Sequence, residues 1–261
     1  MMKSLNTAAT GMSAQQSNMD TIANNIANIS TMGFKRARAE FEDLLYQTTQ
    51  EPGAQTGENS VSPTGVQTGL GVKTSSIQKD FAQGSSKVTK NPFDIEISGN
   101  GFFPIELPSG QIGYTRDGAF KKSADGKLVT KNGFPLQPEI TIPQGATGVE
   151  ISPNGQVSII TGLNSLPQNI GQINTVNFIN SAGLKSIGKN LFLPTAGSGG
   201  PQQGTPGQAG FGDLAQGQLE MSNVNIVDEM VNMISAQRAY ETNSKVIQAS
   251  DQMLQYMNNL R

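Results

Sequence analysis

The chain has 261 residues, of which 35% are hydrophobic, 30 are Gly and 13 are Pro; that composition suits one modest β-rich domain with extended connections, not a tightly packed enzyme of the full length. It contains no Cys and no His, which removes thiol chemistry, disulfides, imidazole bases and the usual zinc ligands together, and no cofactor is expected. A formal net charge of -2 gives no reason to expect nucleic acid or an anionic membrane as partner, since phosphate binding needs a concentrated basic surface.

The first stretch, Leu5 to Ile29, repeats apolar residues at a coiled-coil spacing. Leu5, Met12, Met19 and Ile26 stand seven apart, and Ala8, Ile22 and Ile29 add the companion position, with Gln15 the only break. A helix of this length spans about 37 Å, and its seam must be buried. Asn18, Asn24, Asn25 and Asn28 crowd its second half, although Asn is a poor helix former; these amides are either a solvated face or lateral bonds to neighbouring copies. Gly33 offers a C-cap. Lys3 is followed by no apolar run or cleavage site, so a cleavable secretory signal is not expected, and no run approaches the length of a membrane span.

From residue 34 to 91 the pattern weakens. Phe41, Leu44 and Leu45 are compatible with two helical turns carrying Arg36/Glu40 and Arg38/Glu42 pairs, or with an extended arm. After Glu51 the chain is rich in Pro, Gly, Ser and Thr, as in a linker or an arm ordered by its neighbours. Residues 92–196 carry short alternating runs separated by Asp117-Gly118, Asp125-Gly126, Asn132-Gly133 and Asn154-Gly155, the pattern of an antiparallel β domain, sandwich or barrel. Residues 197–221 read as a flexible return. The last element, residues 222–261, repeats Ile226, Met233, Tyr240, Ile247 and Leu254 at seven, with Met230, Ala236 and Met257 beside them. From Asn223 to Leu260 it reaches about 57 Å. The expected fold is α+β: terminal helices pairing as a coiled-coil domain, with the β domain and the arm inserted between them.

Catalysis finds little support. Asp94 with Glu96, or Asp117 with Asp125, form carboxylate pairs only in the company of turn residues, where acidic side chains are ordinary. Gly69-Leu70-Gly71 and Gly99-Asn100-Gly101 lack the third Gly and following helix of a nucleotide loop.

Ile22 to Arg36 (I-A-N-N-I-A-N-I-S-T-M-G-F-K-R) resembles the N-terminal signature of the bacterial flagellar rod and hook proteins. Ser222 to Leu254, with S-N-V-N, E-M-V and A-Q-R-A-Y-E-T-N-S-K, resembles that family's C-terminal signature. Asp94 to Phe103 (D-I-E-I-S-G-N-G-F-F) and Tyr114 to Phe120 (Y-T-R-D-G-A-F) are similar to its β domain. Length, with Phe41 to Thr48 (F-E-D-L-L-Y-Q-T) and Pro52 to Gln55 (P-G-A-Q), is similar to the distal-rod branch. The resemblance implies a structural subunit of a rigid helical tube that carries torque through the periplasm and outer envelope, encloses an export channel and has no enzymatic activity. It implies export without a cleavable signal through the flagellar apparatus, and as partners other copies of the chain, the proximal rod proteins, the hook protein, and the peptidoglycan and outer-membrane rings as a bushing. The intrachain seam is assigned to Leu5, Met12, Met19, Ile22, Ile26, Ile29, Ile226, Met233, Tyr240, Ile247 and Leu254. Contacts between copies are assigned to Asn24, Asn25, Asn28, Phe34, Lys35, Arg36, Phe41, Leu44, Leu45, Tyr46, Arg238 and Asn243. Alternatives are another axial protein of the family, proximal or hook-like, and, from a different class, a peptidoglycan-cutting enzyme on rod-like termini.

Overall fold

The computed structural model describes residues 2–53, 55–57, 60–61, 63–162 and 166–259. It divides into two compact units. The first contains Met1–Ala27, Ala37–Gln78 and Asn225–Arg261; the second contains Asn28–Arg36 and Lys79–Val224. The architecture is α+β, with the terminal helices in contact and many short antiparallel sheets between them in sequence.

In the first unit, helix α1 (Met2–Ala27) packs on helix α2 (Ile226–Asn259). The start of α2 is set locally. Asn225 caps it, its Oδ1 accepting the Val227 N–H at 3.1 Å, while Asp228 and Glu229 place negative charge in the first turn, where the helix dipole favours it. Gly33 does not cap α1, which ends at Ala27. At φ +66 a Cβ on Gly33 would lie 2.8 Å from the Arg116 carbonyl carbon, so glycine is required there by close backbone approach inside the second unit. Leu260 and the side chain of Met257 lie outside the described residues.

Between residues 37 and 79 the described strands pair as a two-stranded ribbon, and no helical turn forms among the described residues there. Ala37–Asp43 pairs with Val72–Lys79, and Tyr46–Gln50 pairs antiparallel with Val66–Gly69, Gln47 opposite Thr68. The charge pattern follows the strand period. Arg38 meets Glu40, two residues on and on the same face, at 2.8 Å, and Glu42 meets Lys73 across the ladder at 2.6 Å.

The second unit is a set of small antiparallel sheets around two apolar clusters. Ile95, Ile97, Phe103, Ile105, Leu128, Leu136 and Val157 are within the larger cluster. Phe102, Tyr114, Phe178 and Phe192 make the smaller, with edge-to-face rings such as Tyr114 on Phe178 at 4.9 Å. The Gly- and Pro-rich stretch 197–221 is not a loose return. Gln202–Gly204 pairs with Thr175–Asn177, Asp213–Gln216 with Ile95–Ser98, and Gln218–Glu220 with Ser86–Val88. Its short strands fill edges that the central strands leave open, a long-range pairing that local composition does not encode.

Candidate assembly surfaces

The α1 and α2 faces that meet are lined by small and polar side chains. On α1 the buried residues are Ala8, Ala14, Thr21, Ile22 and Asn25. On α2 they are Glu229, Ala236 and Ser250, with Met233, Tyr240, Asn243 and Ile247 half-buried. A Cβ on Gly11 would sit 3.0 Å from Asn243 Nδ2, so glycine lets the two helices approach at that level. Of the residues assigned to the seam, Ile22 is fully buried; Leu5, Met12, Met19 and Ile26 flank the buried row half-covered. Ile29 belongs to the second unit, and Ile226 and Leu254 are exposed. The heptad spacing located the helices, while the small residues beside it define the closest approach.

Three residues assigned to contacts between copies, Asn25, Phe34 and Lys35, are buried within their own unit. Asn25 is 1% exposed. Its Oδ1 accepts the Ala37 N–H at 2.9 Å, and its Nδ2 donates to the Ala37 carbonyl at 2.8 Å and to Glu229 Oε2 at 3.2 Å. One amide thereby joins both terminal helices to the first strand of the ribbon. Asn24 is exposed; Asn28 is half-buried and accepts from Thr31 Oγ1 at 3.1 Å.

Lys35 is likewise 1% exposed. Its Nζ donates to Glu220 Oε1 at 2.7 Å and to the Ala82 carbonyl at 2.7 Å. Arg116 Nε binds the other Glu220 oxygen at 2.5 Å, and its Nη1 reaches the Gly101 carbonyl at 2.6 Å. Burial works against the Glu220 charge, but Arg116 and Lys35 together more than offset it and hold the carboxyl below the usual range. Burial pulls the Lys35 ammonium below its ordinary value, with Glu220 opposing. No spacing rule links Lys35, Arg116 and Glu220. The signature stretches containing the first two were the available hint; Glu220 carried none. Phe34 is also buried, and the half-buried Arg36 donates its backbone N–H to Asn223 Oδ1 at 2.7 Å.

The remaining assigned residues lie at the surface of the first unit. Phe41, Leu45 and Tyr46 are exposed on the ribbon, Leu45 by 84%, and Leu44 is half-buried. Arg238 is exposed on α2. Val66 and Ile77 on the ribbon, and Ile226, Val227, Met230, Val231 and Ile234 on α2, add to this uncovered apolar surface.

The chemistry that an enzyme would need is engaged elsewhere. Asp94 accepts from Thr89 and Asn91, Glu96 from Gln83 and Ser86, and Asp117 from Ala119 and Lys131. A groove of about 270 Å³ lined by Pro104, Tyr114, Pro138 and Pro201 presents only the Tyr114 phenol as an ionisable group, raised by burial. Among the described residues no cluster of acidic side chains is arranged to hold a metal, and no helix is long and apolar enough to cross a membrane.

Three segments match known families. Residues 5–35 match "Flagella basal body rod protein", 96–159 match "Flagellar hook protein FlgE/F/G D1 domain", and 215–260 match "Flagellar basal body rod FlgEFG protein C-terminal". The chain is 51% identical over 261 residues to the "Flagellar basal-body rod protein FlgG" of Caulobacter vibrioides, covering 100% of both. It is 51% identical over 263 residues to the protein of that description from Borreliella burgdorferi, covering 100% of this chain and 99% of the relative. In Bacillus subtilis it is 38% identical over 266 residues to the FlgG protein and 31% identical over 275 residues to "Flagellar hook-basal body complex protein FlhP", covering 100% of each.

Proposed function

The chain belongs to the FlgG family of flagellar basal-body rod proteins, and we propose that its first unit is the polymerising surface by which successive copies build a rigid helical tube. It is a structural subunit of the distal rod and not an enzyme, and it assembles with other axial proteins of the basal body. The observation that supports the polymerising role is the uncovered apolar surface of the helices and ribbon, Leu45, Tyr46, Met230 and Ile234 among it. A subunit that meets its copies head to tail, with a rotation that does not close, generates a filament.

The finer reading concerns neighbours. The tube carries torque to the hook and encloses the export path; the proximal rod proteins stand at one end and the hook protein at the other, with the peptidoglycan and outer-membrane rings around it and the flagellar export apparatus delivering the chain. The ribbon 37–79 lies against neighbouring copies and stiffens the shaft: a two-stranded ribbon with both edges open is marginal by itself and gains from added partners. Immunogold labelling of isolated basal bodies is expected to mark the distal rod. Label confined to the hook or the proximal rod would overturn this placement. Purified chain is expected to release no soluble fragments from peptidoglycan, and release would restore the enzyme reading.

A further inference from the structure

Helix α2 has one face covered by α1 and a second, apolar stripe that α1 leaves open. Around a helix of 3.6 residues per turn, Glu229, Met233, Ala236, Tyr240 and Ile247 centre on the face towards α1, while Ile226, Val227, Met230, Val231 and Ile234 centre about 120° away. The second stripe occupies only the first third of α2, contains no charged side chain, and leaves Met230 54% and Ile234 49% exposed. An apolar stripe outside the face already covered gives such a helix a second side to pack.

The outward face of α1 is its complement in shape. Ala9, Ser13, Gln16, Ala23 and Ala27 stand there, all exposed and mostly small, so a second helix can come close and seat large side chains between them. Charge agrees with shape. Asp20 is the one charged residue on that face, and Arg238 lies one turn beyond Ile234 on the same side of α2; both are exposed, and neither makes an ion pair among the described residues.

We propose that the Ile226 to Ile234 stripe of one copy docks on the outward face of α1 of a second copy, with Arg238 of the first against Asp20 of the other. This rests on the polymerising reading of the first unit and names its contact. The face of α1 and the stripe of α2 sit on different helices, so each copy offers one of each. That contact is heterologous and propagates.

The test uses the full chain, expressed in place of the natural gene in a flagellated bacterium that carries it. Wild-type chain is expected in isolated basal bodies; its absence there would overturn the polymerising reading itself. Given wild-type incorporation, Met230→Glu with Ile234→Glu is expected to leave the helix content and melting of the purified chain unchanged, since both side chains are exposed, and to remove the chain from basal bodies with loss of motility. Incorporation at the wild-type level would overturn the stripe. Asp20→Arg and Arg238→Asp are each expected to reduce incorporation and, combined, to restore it. Failure of the double variant to recover, while each single variant is impaired, would overturn the Asp20 to Arg238 pairing.

Discussion

Asn25 bonds Ala37 as a neighbouring strand would, its carboxamide accepting from the Ala37 N–H at 2.9 Å and donating to the Ala37 carbonyl at 2.8 Å. The same Nδ2 reaches Glu229 Oε2 at 3.2 Å. No other side chain of this size presents a donor and an acceptor in that spacing. Asn25→Ala is expected to destabilise the first unit by about 1–3 kcal/mol, the cost of leaving buried polar groups unsatisfied. Hydrogen exchange should show the Ala37 amide losing protection, with the amides of the second unit unchanged.

The Lys35, Glu220 and Arg116 cluster carries a larger penalty if broken. Glu220→Gln leaves two buried cations without their carboxylate and is expected to cost about 3–5 kcal/mol in the second unit. Chemical denaturation monitored by the tyrosine signal would measure it.

The pH dependence has a definite sign. Because the folded Glu220 carboxyl is held below its ordinary value, its contribution is fully present above about pH 4.3 and is lost as pH falls through the folded value. The Lys35 ammonium is depressed by burial below about 10.4, so its titration raises stability as pH climbs from the folded value towards that ordinary one. Between pH 5 and 8 the Glu220 carboxyl contributes no slope, because both its folded and its ordinary values lie below that window. Thermal melts at pH 3 and pH 7 should differ more for the wild-type chain than for Glu220→Gln.

Two glycines with similar backbone angles should respond differently to alanine. Gly33 has φ +66 and no room for a Cβ against the Arg116 and Asp117 backbone; Gly133 has φ +83 and nothing within 4 Å. Gly133→Ala is expected to cost about 1–2 kcal/mol from its left-handed backbone alone. Gly33→Ala should cost clearly more, and equal losses in denaturation midpoint would contradict the close approach.

The helices are expected to be only partly formed in dilute monomer, because long helices with this much uncovered apolar surface draw stability from packing. Circular dichroism should then show less helix than residues 2–27 and 226–259 would give, rising on assembly. Full helix content in dilute solution would contradict this.

The ribbon should matter to the shaft more than to the monomer. Removing Thr49 to Ser62 is expected to leave the second unit folded and to make assembled rods curved or more flexible in electron micrographs. Straight, equally rigid rods would show that the ribbon does not stiffen them.

The two helices were legible in the residues alone, because a seven-residue apolar repeat is a local signal. The β segment was legible too, through its turn pairs; three of them, Asp125-Gly126, Asn132-Gly133 and Asn154-Gly155, do place glycine at positive φ. What depended on tertiary structure was the role of each polar residue. Asn24 and Asn25 are neighbours of one type, yet one is exposed and the other lies between two helices and a strand. Lys35 and Glu220, 185 residues apart, become a buried pair, and the Gly-rich stretch 197–221 becomes edge strands. Apolar periodicity is written along the chain, since burial follows the period of the backbone. Partners for buried amides and charges come from distant segments, and only the folded arrangement brings those groups within hydrogen-bonding distance.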